Sequence, residues 1–405
     1  MRTKAFHALV PRPGLAAQVA AVPYDVVDTE EARALAAGNP HNLLHVDRAE
    51  IDLPPGVDPY SDAVYARAKK NFAGLQRDGI LQRLEEPSIF IYRQTWQDHV
   101  QTGVALACHI DDYGADVIRK HERTRPAKEN DRVRLVETLN AHTGPIFLTY
   151  RDDACVDQLA ENIVRTAPDV DFRDEKGVRH QVWKTPDSGA FVEAFARVST
   201  AYVADGHHRS ASAWRVGQAR RKASPAHDGS EDYNWFLGVL FPASQLRILP
   251  YNRILRDLHG LSSETFLERL RERLTWKETG CKAPREAGRV CVYCGGVWNE
   301  YGFAGEIPRD PVHSLDVSLL QERVLEPLLG IGDPRTDERI DFVGGIRGTT
   351  ELERKVDAGE GAAAFSLFPV TVEQLMAISD AGAIMPPKST WFEPKLRSGL
   401  FIYTF

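Results

Sequence analysis

Apolar positions recur along the chain in two periods, one helical and one extended. Val64, Ala68, Phe72 and Leu75 share a helical face, with Ser61 opening the helix and Gly79 closing it. Asp28 followed by Glu31 predicts a capping box on a shorter helix that Gly38 ends. Strands are predicted where β-branched and aromatic residues cluster, at 88–95 (SIFIYRQT) and 102–110 (TGVALACHI), with the polar segment 96–101 between them as a hairpin turn. Further strands are predicted at 145–150, 202–204, 233–241, 289–293, 340–343 and 362–368, most separated by helical stretches such as 318–329 and 372–381. The turn-rich segments 223–232 and 278–288 read as loops. This alternation predicts a mixed α/β, or α+β, protein. A chain of 405 residues exceeds one ordinary core, so it divides into a first region, 1–245, and a second, 246–405.

Charge narrows the partners. A formal net charge of -7 gives no general attraction to nucleic acid or anionic lipid, so any anion site must be a local concentration of basic groups. Nucleic acid is therefore a disfavoured partner, and a homodimer is left open. No stretch approaches 18 apolar residues, and Pro11, Pro13 and Gly14 interrupt any leader-like apolar run. Five cysteines are an odd number in a long chain and argue against a disulfide framework. A cytoplasmic protein with no membrane partner is expected.

The strongest local signal is YVADGHHRS, residues 202–210, where a short apolar run ends at Asp205 and Gly206 and leads into a segment of helical composition. A helix N-terminus offers unpaired amide donors and the positive end of the macrodipole, and glycine lets an anion approach the backbone. His207, His208 and Arg209 add side-chain donors, and Asp205 is placed to hold Mg²⁺ or take a hydroxyl proton. A plain capped turn would explain Asp205 and Gly206, but cationic groups crowded at a helix start favour an expected anion. Zinc bound by His207 and His208 alone is disfavoured, because adjacent helical residues point about 100° apart and the i+4 positions, Ala211 and Ser212, cannot ligate.

A second signal is the basic segment 118–132, IRKHERTRPAKENDR, with six Lys or Arg against three Asp or Glu from Arg119 to Arg132. It reads equally as a solvated basic loop or as a carboxylate, Glu122, standing among Arg123, Thr124, Arg125 and Lys128 in a site for phosphate or carboxylate groups. Asp25 in VPYDV is a further candidate carboxylate, though a simple turn before a helix explains it as well. The proline-stiffened end, with Lys388, Ser389, Thr390 and Lys395, reads as a structural tie. Cys291 and Cys294 lie inside a predicted strand and read as buried core cysteines. No P-loop, kinase catalytic-loop triplet or nucleophile elbow occurs.

The series VPYDV, NPHNLLHV, KHERTRPAKENDR, NAHTGPIFLTY, ADGHHR, LPYNR, RIDFVGG, AFSLFPV and MPPKSTWFEPKL resembles the bacterial and archaeal family DUF1015 across nearly the whole chain. That resemblance implies a nucleotide-binding core remotely related to the ParB/sulfiredoxin fold, with large insertions and a C-terminal α/β domain. Free serine kinases, which phosphorylate L-serine, fall in the same group and have a similar turn. The resemblance makes Asp205, Gly206, His207, His208 and Arg209 the phosphate and metal corner, with Asp25 and Glu122 as candidates for the catalytic carboxylate. The residues Arg123, Thr124, Arg125 and Lys128 are expected to bind a substrate carboxylate. The implied activity is phosphoryl transfer from ATP or ADP, with Mg²⁺, to the hydroxyl of free serine or a similar hydroxy acid. The alternative is a nucleotide-binding switch without turnover.

Overall fold

A computed structural model describes residues 1–185 and 188–405. The chain forms two compact units: residues 1–246 with 394–405, and residues 247–393. The sequence division ran the second region to the chain end; the structure returns the last twelve residues to the first unit. They return because the tail completes backbone ladders there: Tyr403 and Thr404 pair with His142 and Ala141, and Ser398 and Ile402 bridge Ala21 and Leu9.

The first unit is built on a mixed nine-stranded sheet. Its order is Ile118–Arg119, Ala201–Asp205, Ile146–Tyr150, Trp235–Pro242, His99–His109, Ile89–Trp96, Arg179–Thr185 and Val170–Arg173, with Thr3–Lys4 alongside His99–His109. The predicted hairpin is present, but its strands extend farther than the pattern suggested and leave only residues 97–98 as the turn. Ile89, Ile91, Val104, Leu106, Leu148 and Val203 are fully buried in the core on this sheet. The Asp28 capping box forms as read, and Val64, Ala68, Phe72 and Leu75 of helix Asp62–Arg77 are all buried.

Two pairings decide where chemistry can occur. Strands Ile118–Arg119 and Ala201–Asp205 run parallel, so the segments leaving them emerge at the same end of the sheet. Strand Ile146–Tyr150 is antiparallel to Ala201–Asp205, which sets its first residues beside Asp205. A register shift between Val203 and Asp205 bulges the strand there and re-aims its last side chain. The basic segment is only partly a loop: Pro126 starts a helix, Pro126–Leu139, whose fixed φ suits a first helical position.

The second unit carries a six-stranded antiparallel sheet in the order Leu274–Thr279, Val297–Phe303, Arg289–Cys294, Ala363–Leu367, Tyr251–Leu255 and Ile340–Gly344. Cys291 and Cys294 are buried in it, and all five cysteines of the chain are free thiols. The expected helix at 318–329 runs as Asp316–Leu320, a π-helical turn Gln321–Leu325, and Glu326–Leu329. Among the described residues no helix is long and apolar enough to cross a membrane.

One buried carboxyl in this unit makes stability depend on pH. Oδ1 of Asp316 accepts the Gly288 N–H at 2.8 Å, whereas no hydrogen bond reaches the buried Oδ2. Burial outweighs that bond and raises the carboxyl to about 6. An acid whose folded pKa exceeds its unfolded value favours the native state when protonated. Its contribution is present below roughly pH 4 and is lost as pH rises through about 6. Asp316→Asn is expected to stabilise the protein at alkaline pH by roughly 2–3 kcal/mol, the cost of ionising this group, with the difference shrinking toward acid pH. Thermal unfolding of both proteins across the acid to alkaline range measures it; a pH-independent difference contradicts the account.

Candidate functional site

Helix His207–Ala223 starts directly from strand Ala201–Asp205, with Gly206 between them at φ 95°. A Cβ at residue 206 would lie 3.0–3.1 Å from the Arg209 guanidinium, so a side chain there would strain the left-handed backbone and crowd the arginine folded over it. Arg209 donates through Nη2 to Asp205 Oδ2 at 3.0 Å and through Nη1 to the carbonyl of Pro145. Its Nε is buried and has no hydrogen-bond partner. A buried guanidinium N–H left unsatisfied is costly, and costs most where no ligand completes it.

Asp205 faces a cation on each oxygen, since Lys395 Nζ lies 3.2 Å from Oδ1. Burial raises its pKa, but Lys395 and Arg209 outweigh burial and hold the carboxyl at about 2. Sequence reading placed Asp205 as Mg²⁺ ligand and proton acceptor, and the structure puts two cations where the metal would bind. The donor set does not fit a hard divalent ion as it stands, and Asp205 serves as the counter-ion that aims Arg209 and Lys395. Lys395, read from the sequence as part of a tie, was missed as a site residue. Its signal was a lysine in an apolar, proline-flanked segment, but nothing local says that residues 190 apart in the chain meet.

Behind Arg209 lies a cavity of about 30 Å³ lined by Tyr24, Asp47, Arg132, Thr143, Arg209 and Ser398, room for about one water. Asp47 is buried, and burial raises its pKa, opposed by Thr143, Arg132 and Arg209. Arg132 stacks on Tyr24, 3.8 Å from the ring centroid, and donates to Asp131, which also accepts the Tyr65 hydroxyl at 2.8 Å. Tyr24, Asp131, Arg132 and Thr143 lie inside motifs visible in the sequence, but nothing local shows that they meet Asp47 and Tyr65 in one buried network.

The basic segment reaches the turn. The backbone N–H of Arg125 donates to His208 Nε2 at 3.1 Å, and His208 feels both Asp25 and Glu122 electrostatically. Burial is the main cause that lowers the His208 pKa. The rings of His121 and His207 meet edge-on, 4.4 Å between centroids. Burial depresses both imidazoles, His121 to about 3 and His207 to about 4, so both are neutral at physiological pH.

The sequence marks Arg123, Thr124, Arg125 and Lys128 as candidate substrate-binding residues. Arg123 and Arg125 are exposed. Thr124 donates to Glu129, which also accepts from Arg215 at 2.7 Å, and Lys128 lies over the Tyr60 ring. Thr124 is thus tied to helix Pro126–Leu139 and Lys128 to the turn at Tyr60, while Asp25 is exposed.

The model of the family described as "Protein of unknown function (DUF1015)" matches residues 3–318. The chain belongs to DUF1015. No curated protein matches this DUF1015 chain. Among solved structures, it is similar to a free serine kinase variant in complex with AMP, at 13% identity and TM-score 0.36, over 73% of this chain and 92% of that one. A conserved hypothetical protein from Pyrococcus furiosus aligns at 14% identity and TM-score 0.35, over 73% and 93%. A C-terminally truncated SbnI from Staphylococcus aureus aligns at 14% and 0.37, over 73% and 87%. A likeness at this level identifies neither ligand nor reaction for the DUF1015 chain.

Proposed function

We propose that this chain is a small-molecule phosphotransferase that moves a phosphoryl group from ATP or ADP to the hydroxyl of free serine or a similar hydroxy acid. The observation that carries the reading is the unsatisfied, buried Arg209 Nε beside a left-handed Gly206 at a helix N-terminus. An orphan guanidinium donor, first-turn amides and the macrodipole all favour one kind of occupant, an oxyanion.

In this reading His208, Arg209 and the first amides of the helix receive phosphate oxygens, and Lys395 with Asp205 fixes the arginine. Arg123 and Arg125, exposed near the turn where the Arg125 backbone N–H donates to His208, take the substrate carboxylate. Asp25 takes the proton as the hydroxyl oxygen bonds to the terminal phosphorus and the bridging bond to the nucleotide breaks. Asp25 is preferred over Glu122 because it is exposed, while Glu122 sits against two imidazoles. Phosphoryl transfer asks chiefly for positioning and charge neutralisation, which these groups supply. Mg²⁺ would arrive on the nucleotide phosphates, and no residue of this chain is assigned to it.

Purified protein incubated with Mg²⁺, serine and either ATP or ADP is expected to form a phosphomonoester visible by phosphorus NMR. Asp25→Asn is expected to lower kcat by roughly 10²- to 10⁴-fold with little change in nucleotide KM. Absence of product across a panel of hydroxy amino acids and hydroxy acids overturns the reading.

A further inference from the structure

Among the described residues, His121, Glu122 and His207 bring together two imidazole nitrogens and a carboxylate oxygen that all lie within 4.8 Å of one another. Within one helix, His207 has no ligating neighbour at i+4, which disfavours zinc there. Parallel pairing of Ile118–Arg119 with Ala201–Asp205, however, carries His121 onto the first turn of helix His207–Ala223.

We propose that these three residues form a binding site for a borderline divalent transition-metal ion, Zn²⁺ or Co²⁺, distinct from any nucleotide-borne Mg²⁺. His207 is 6% exposed, and its Nε2 is buried with no hydrogen-bond partner. A lone pair held away from both water and donors is expensive unless something electron-poor completes it. His121 is hydrogen-bonded to the backbone of Val203, the kind of second contact that orients a metal-binding imidazole and settles its tautomer.

Two neutral imidazoles and one carboxylate are the donor set of three-ligand zinc centres, and of sites that leave a coordination position open. With bonds of about 2.0–2.2 Å, tetrahedral ligands stand roughly 3.4 Å apart. The present spread therefore needs side-chain movements of about an ångström, which half-buried Glu122 can make by rotation. Imidazole ligands select against Mg²⁺ and Ca²⁺, which take oxygen. Asp205 acts electrostatically on both imidazoles, and Lys395 and Arg209 already occupy its oxygens. A second cluster, Cys281, Cys291 and Glu300, is less apt. There Glu300 accepts from Arg289 at 3.0 Å and the Cys281 thiol reaches the Ala283 carbonyl.

The test is direct titration of chelator-treated full-length protein with Co²⁺, followed by visible absorption and by competition with Zn²⁺. One equivalent is expected to bind with a d–d spectrum of nitrogen and oxygen ligation, to be displaced by Zn²⁺, and to resist a large excess of Mg²⁺. His207→Ala and His121→Ala are expected to lose stoichiometric binding, whereas His313→Ala, on an exposed histidine of the other unit, retains it. Should the buried-histidine variants fail to fold, Glu122→Gln decides the matter, with affinity expected to fall at least about tenfold. Failure of the wild type to bind one equivalent overturns the proposal, as does wild-type affinity in any folded variant of the three ligands. The readout needs no nucleotide or turnover, so a negative kinase assay leaves it unaffected, and a negative titration leaves the kinase assay unaffected.

Discussion

Replacing Arg209 by Lys is expected to lower phosphoryl transfer by about 10²–10³-fold, roughly 2.7–4 kcal/mol of transition-state stabilisation, while the protein stays folded. Lysine keeps the charge but loses the planar fork that now spans Asp205 and the Pro145 carbonyl. It also loses the buried Nε–H, which has no protein partner. An ammonium can satisfy Asp205 or reach a phosphate, but it cannot hold both in fixed geometry. The measurement is kcat and kcat/KM for the variant beside a thermal melt. Wild-type kinetics in a folded Arg209→Lys protein would remove the phosphate cradle from the account.

The largest effect on stability is expected at Arg397→Ala, about 3–5 kcal/mol. Arg397 is 6% exposed and donates to Asp174 and, at 2.9 Å, to Glu175. Asp174 also contacts His180 at 3.1 Å, and His180 meets the Tyr92 hydroxyl at 2.7 Å. Burial raises the Asp174 pKa, but His180 and Arg397 reverse that and hold it well below the usual carboxylate range. Removing the arginine leaves a buried carboxylate facing a neutral imidazole, a charge without compensation. Denaturant unfolding monitored by circular dichroism measures the loss, and a change below about 1 kcal/mol would mean water replaces the arginine.

Much of the local structure could be read from residue pattern alone. The Asp28 capping box, the apolar face from Val64 to Leu75 and the buried strand around Cys291 follow from short-range rules, and the structure has each of them. What the pattern hid was pairing across long separations. Strands Val170–Arg173 and Arg179–Thr185 mix polar and apolar residues, and their places at and next to the sheet edge come from pairing with Ile89–Trp96 elsewhere in the chain. The site divides in the same way. The Asp205–Arg209 turn is a contiguous signal, whereas the approach of His121, Lys395 and the Pro145 carbonyl depends on sheet order and on where the tail returns.

That returning tail orders events during synthesis. Residues 394–405 leave the ribosome only after the whole of 247–393 has been made, a delay of roughly 7 to 30 s at ordinary elongation speeds. Through that interval the nascent first unit lacks the lysine that neutralises Asp205 and the ladder partner of Ala141 and His142. Translation thus presents the nine-stranded sheet with its own strands all made but with the short strand Ala141–His142 unpaired beside it, and a chaperone, or any strand able to mimic residues 398–404, has its opportunity there.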